Sequence, residues 1–129
     1  LFSNNIAITP ICVNATVTVE DESADVRQIT VQLLDSNGAV LDYAEVVEVL
    51  LFTTQAATAF ASVGGSTGIA IGATGSLLTV LAKRNFRLIT TIAGLAQLTY
   101  TDTGTEACAI GIRLATGRII MGSQLLTNA

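Results

Sequence analysis

Along most of the chain, hydrophobic and polar positions alternate with period two, and Gly, Asn and Asp turn signals interrupt the alternation about every ten positions. Val13, Ala15, Val17 and Val19 define one side of a predicted strand against Asn14, Thr16 and Thr18. The acidic run Glu20, Asp21, Glu22 and Asp25 then forms a solvated loop. A second strand starts at Arg27, with Ile29, Val31 and Leu33 facing away from Gln28, Thr30 and Gln32. Asp35-Ser36-Asn37-Gly38 predicts a hairpin, because Asn-Gly readily adopts positive φ and Asp35 can bond its own downstream backbone. The run 46–52 is apolar apart from Glu48 and rich in β-branching, which predicts a central strand covered on both faces.

From 53 to 76 the texture changes to Ala, Thr, Ser and Gly, and we expect one long loop with at most a short strand at Ile69–Ile71. The alanines of 54–61 suit two helical turns, but their β-branched threonines and lack of charge favour a loop. Alternation returns at 77–82, then follows a basic turn Lys83-Arg84-Asn85 with Phe86, Leu88 and Thr90. Ala96, Leu98 and Tyr100 make the next strand, and Cys108, Ile110, Ile112 and Leu114 the one after it. Ala115-Thr116-Gly117 turns the last hairpin into 118–121, and 123–127 closes the chain. About seven to nine short strands without a convincing helix imply one all-β domain over 1–129, an antiparallel two-sheet sandwich. Residues 1–11, weakly patterned and containing Pro10, read as an N-terminal arm.

Composition narrows the function. The 129 residues are 50% hydrophobic and 12% charged, against about 25% charged in ordinary soluble proteins, and mean hydropathy is +0.63. Such a surface is suited to burial in an assembly. Histidine is absent, which argues against Ser/His/Asp triads, Cys/His dyads and ordinary zinc or iron sites. A net charge of -4 disfavours nucleic acid as a partner. No run approaches the ~20 apolar residues of a membrane span, so no membrane partner is expected. Leu1 is followed by no basic region and signal core, which suggests processing or missing leading residues. Residues 1–50 hold eight acids against Arg27, whereas 51–129 hold two acids against five bases. Either the halves pair inside one fold or copies attract one another head to tail.

Several motifs invite chemistry. Asp102-Thr103-Gly104 followed by Ile120-Met121-Gly122 matches the catalytic and hydrophobic-glycine elements of aspartic proteases, but Gly104 and Gly122 lie 18 residues apart, which leaves room for one hairpin and no flap. The structural reading is a turn in which Asp102 caps backbone amides and Gly104 takes a left-handed conformation. The glycines of 64–75 lack the Lys-Ser/Thr of a phosphate-binding loop. Glu45 with Glu48, or the 20–25 cluster, supplies the carboxylates of a glycosidase, yet stacking aromatics are few. Calcium among Glu20, Asp21, Glu22 and Asp25 fits no EF-hand spacing. No cofactor or small-molecule substrate is expected. Asn14-Ala15-Thr16 fits a glycosylation sequon inside a predicted strand. Cys12 and Cys108 sit in apolar runs and read as buried free thiols. Lys83, Arg84 and Arg87 form the one basic concentration; they are either solubilising charge or an assembly contact for an acidic patch such as Glu20, Asp21, Glu22 and Asp25.

From Ile29 to the end the chain resembles the immunoglobulin-like proteins of tailed-phage virions. The likeness rests on Val31-Gln32-Leu33 leading to Asp35-Ser36-Asn37-Gly38, on Ala70-Ile71-Gly72 with Gly75 and Leu77-Leu78, and on Phe86-Arg87-Leu88. It continues through Gly94 and Leu98-Thr99-Tyr100-Thr101 to Thr116-Gly117-Arg118. Asp102 to Cys108 is similar to the Asp-x-Gly-x-Tyr-x-Cys corner of immunoglobulin domains, with Glu106 in the tyrosine's place; the core tryptophan is absent and Cys12 lies too far upstream for the usual bridge. The resemblance implies an immunoglobulin-like sandwich and a non-enzymatic decoration or cement protein on the virion's capsid exterior. Its partners would be the major capsid protein and copies of itself. The competing implications are a tail or baseplate component, or an adhesin-type module for host glycans.

Overall fold

The computed structural model of the protein describes residues 11–128, together with the pair Phe2–Ser3 (β1) and Ile6–Ala7 (β2), which run antiparallel with Phe2 opposite Ala7. The arm expected at 1–11 lies, apart from that pair and Ile11, outside the described residues. The chain is all-β. The four-stranded sheet has the order β3 (Cys12–Val19), β4 (Val26–Asp35), β9 (Leu95–Thr101), β6 (Gly68–Ile71). The five-stranded sheet has the order β11 (Ile119–Met121), β10 (Ala109–Arg113), β5 (Val46–Phe52), β8 (Asn85–Ile89), β7 (Ser76–Leu81). Every pairing is antiparallel.

Period-two patterning places the core. Val17, Ile29, Val31, Leu33, Leu98 and Tyr100 point inward from the four-stranded sheet, and Val47, Val49, Leu51, Phe86, Leu88, Ile110 and Ile112 from the five-stranded one; all are buried in one cluster. Each such aliphatic side chain stabilises the fold by about 1.5–3 kcal/mol. A one-residue slip of register would turn that set to solvent, so the alternation itself specifies the pairing.

Three local expectations change. β5 is central, but it is covered on both faces only from Leu50 onward: Val46 and Glu48 look outward, whereas Leu50 and Phe52 lie under further side chains. Gly104 is not left-handed; Asp102 Oδ1 accepts its amide at 3.0 Å, and the positive-φ glycine of this kind is Gly38, whose N–H meets Asp35 O at 3.1 Å. Residues 123–127 are not a strand. They cross one end of the sandwich, where Leu126 is buried and its amide bonds Cys108 O at 2.9 Å. Within 53–76, β6 separates two connections, 53–67 and 72–75.

The registers show that one end of the sandwich collects the 20–25 turn, the 102–108 corner, the β7–β8 tip and both termini of the 53–67 connection. Thr101 pairs with both Val26 and Gly68 at that end, as Leu50 does with Asn85. The 53–67 segment therefore passes from sheet to sheet over this end.

Candidate assembly surfaces

Ala61 N bonds Leu51 O and Thr67 N bonds Thr101 O, but between them the crossing backbone leaves the strands, and its amides and carbonyls need other partners. Glu106 supplies the acceptors. Its carboxylate takes the N–H of Val63 at 2.6 Å and of Gly65 at 2.8 Å, and the Ser62 hydroxyl at 3.2 Å. Burial opposes its charge, but the donors at Gly65, Val63, Gly64 and Ser62 outweigh that and hold the carboxyl below its ordinary range. Gly65 has φ +84, and a Cβ there would stand 2.9 Å from the Tyr100 ring, so the clamp draws this backbone directly onto the core.

The basic tip supplies the donors. Lys83 Nζ donates to Ser66 O at 2.8 Å, Arg84 Nε donates to Ala61 O at 3.0 Å, and the Arg84 guanidinium also bonds Ser62 O. Asp102 completes the frame, since Oδ1 accepts from Ser66 N at 3.0 Å. Its Oδ2 and the Tyr100 hydroxyl are buried without a hydrogen-bond partner. The aspartate of the Asp-Thr-Gly motif is thus 3% exposed, with Oδ1 accepting from the amides of Ser66 and Gly104, as in the turn-capping reading of the motif.

The acidic residues lie at the same end, on the four-stranded sheet. Glu20 O accepts from Arg27 at 3.0 Å, Asp21 Oδ1 from Gln124 at 3.1 Å, and Asp25 O from Asp102 N and Asn128 Nδ2. Glu22 is half-buried in the turn between β3 and β4. Four of the eight acids of residues 1–50 therefore collect at this end, on the sheet opposite the Lys83–Arg84 pair. Lys83 and Arg84 stay together there; Arg87 does not.

Arg87 stands on the outer face of the five-stranded sheet. It meets Glu48 Oε2 at 3.4 Å, and Glu48 Oε1 meets Arg113 at 3.5 Å, so β10, β5 and β8 carry a row Arg113–Glu48–Arg87. Apolar side chains surround it: Val46 is 49% exposed, Ile89 42%, Leu78 63% and Phe60 55%. Phe60 stacks on Phe52 at 5.5 Å, an outward aromatic pair that the pattern reading missed because Phe60 falls in the Ala/Thr-rich stretch. The opposite outer face differs. Thr16, Thr18, Gln28, Thr30, Gln97 and Thr99 give the four-stranded sheet a hydroxyl- and amide-bearing surface suited to water.

Glu45 and Glu48 do not converge on a cleft. Glu45 N and O bond the Thr90 hydroxyl, whereas Glu48 lies on the sheet face. Among the described residues no cavity opens, and no group of three potential metal ligands gathers. Both cysteines are buried and unbridged; burial, then the Glu106 and Asp102 charges, push the Cys108 thiol up to about 11. Comparison with family models, with curated proteins and with solved structures finds no match to this chain.

Proposed function

We propose that the chain is a non-enzymatic structural protein of a tailed-phage particle, an immunoglobulin-like decoration or cement subunit. It sits on the outer surface of the major capsid lattice and ties neighbouring capsomers together by added contact area. The observation that carries this reading is the outer face of the five-stranded sheet, where large apolar side chains surround a short charged row in a chain only 12% charged. Exposed apolar surface of that kind is characteristic of proteins that bury it against others.

Strand lanes support the immunoglobulin-like part. Variable-type immunoglobulin sandwiches order their sheets A-B-E-D and G-F-C-C′-C″; β3-β4-β9-β6 and β11-β10-β5-β8-β7 occupy the same lanes. The chain departs from that family between C and E, visiting the D, C″ and C′ lanes in the reverse sequence. The Asp102–Cys108 segment falls at the E–F corner, with Glu106 clamping a neighbouring loop where the family's tyrosine bonds backbone.

The test is size-exclusion chromatography with light scattering, on the protein alone and mixed with purified shells that lack it. Binding at a fixed ratio to the capsid subunit is expected; a folded protein that ignores shells overturns the reading. Phe60 on Phe52 is the one feature that favours the glycan-binding alternative, and specific glycan binding by the isolated protein would establish that alternative instead.

A further inference from the structure

The outer face of the five-stranded sheet is complementary to itself, row by row. Across β5 and β8, Val46 stands beside Ile89, Glu48 beside Arg87 and Leu50 beside Asn85. Beyond Asn85 the lane of β8 is taken over by 59–61: Leu51 N bonds Arg84 O, Leu51 O accepts Ala61 N, and Phe60 stands opposite Phe52. Each of these rows except the second is apolar or neutral, and the second joins one negative to one positive side chain.

We propose that two copies of this chain pair through this face, about a two-fold axis that lies in the interface and runs along the strands between β5 and β8. That rotation keeps every row at its own height and exchanges its two sides. Val46 of one copy meets Ile89 of the second, Glu48 meets Arg87, and Phe60 comes onto the Phe52–Phe60 stack. The next lanes also exchange, so Arg113 on β10 lies against Leu78 on β7, its stem on the apolar side chain and its charge at the rim. Glu48 keeps its own two arginines and gains a third, which spreads the row's excess positive charge along the seam. A Thr/Gln face offers no such complement, and its hydration opposes burial.

The area places the pair among small interfaces. β5 has 7 residues, about 23 Å at 3.3 Å per residue, and five strands at about 4.8 Å spacing span about 19 Å. A face of roughly 450 Å² per copy is small among specific interfaces, so the dimer is expected to dissociate on dilution. The inference deepens the assembly reading and rests on it for the role of the pair, but its test reads self-association alone, so failure to bind shells and failure to pair are separate results.

Sedimentation equilibrium on the full chain, with circular dichroism as the folding check, decides it. The wild type is expected to show a reversible monomer–dimer equilibrium. Arg87→Glu sets two carboxylates against each other across the seam and weakens pairing at least about tenfold. The triple variant Glu48→Arg, Arg87→Glu, Arg113→Glu restores the alternation and recovers the dimer, while Thr18→Glu on the opposite sheet changes nothing. Leu78→Lys, at an exposed edge position with no packing to lose, faces Arg113 of the second copy and weakens pairing without affecting the fold. A wild type that stays monomeric at every concentration overturns the proposal, as does a folded triple variant that stays monomeric. Loss of shell binding by Leu78→Lys in a monomeric chain assigns the face to the capsid lattice and equally overturns it.

Discussion

Replacing Glu106 with alanine removes the group that holds the 53–67 connection against the end of the sandwich. The carboxylate accepts from Val63 at 2.6 Å, Gly65 at 2.8 Å and Ser62 at 3.2 Å. A hydrogen bond to a charged acceptor contributes about 1.5–3 kcal/mol when shielded from solvent. Val63 and Ser62 are exposed, so their donors regain water and count for little. Gly65 is buried against the Tyr100 ring, and its N–H has no alternative acceptor in place; leaving it unpaired costs about 1–3 kcal/mol. The expected destabilisation is about 2 kcal/mol, most of it from Gly65.

For a chain of 129 residues, each kcal/mol lowers Tm by about 3–5 °C, so the variant melts roughly 6–10 °C lower. Urea denaturation and calorimetry measure the loss, and amide exchange locates it: the amides of 62–66 lose protection while the core of β4 and β9 does not. Glu106→Gln keeps one acceptor and loses the charge, and falls about midway. A Glu106→Ala protein within about 0.5 kcal/mol of wild type, with unchanged exchange at Gly65, would refute the clamp.

Two further outcomes follow from the same region. Because the folded-state value of Glu106 lies below its ordinary one, its contribution is complete above the ordinary glutamate range and is lost as pH falls through the folded value; the acid limb of stability against pH is therefore shallower in Glu106→Gln than in wild type, and coincident limbs would contradict this. With Cys108 pushed up to about 11 and Cys12 raised by burial, neither thiol reacts with a disulfide reagent at neutral pH in the folded protein, and 2 thiols per chain appear on unfolding; reaction while the circular dichroism is still native would show a more open core.

Periodicity revealed the strands because burial on one face leaves period two in the sequence. The alternations at 13–19, 27–33 and 96–100 became β3, β4 and β9 with their predicted inward residues, except at Val13, where a register shift between Cys12 and Asn14 buries Cys12 and leaves Val13 half-buried. It could not reveal which sheet each strand joins, since an inward valine reads the same from either side. β5 shows where the rule fails: 46–52 is nearly all apolar, yet Val46 faces outward, and Phe52 is covered on the outer side by Phe60 rather than by another layer of strands. Glu106 was legible only as a departure at the tyrosine position of a corner. Its partners, Val63 and Gly65, lie more than 40 residues upstream, and no local pattern connects them to it. The basic turn expected at 83–85 falls at 82–84, with Asn85 already in β8, and its bonds run to carbonyls whose positions depend on the crossing of 53–67.

That crossing explains how the charges are distributed. Following β5 of the five-stranded sheet directly with β6 of the four-stranded one sends the chain over the end of the sandwich, and between Ala61 and Thr67 the crossing segment presents amides and carbonyls that the strands leave to other partners. Glu106 accepts from the amides, while Lys83 and Arg84 donate to the carbonyls. Side chains that look in sequence like a free basic patch are therefore engaged in holding the fold, and reversing them would loosen the loop before it affected any partner. Arg87, two residues beyond Asn85 in the β8 lane, points instead to the sheet face and pairs with Glu48 at 3.4 Å among apolar neighbours. A surface exposed pair of this kind contributes little to stability by itself. Its alternation of sign gains energetic weight only when a second surface of opposite alternation removes it from water, which is why the face, and not the tip, is where a partner is to be sought.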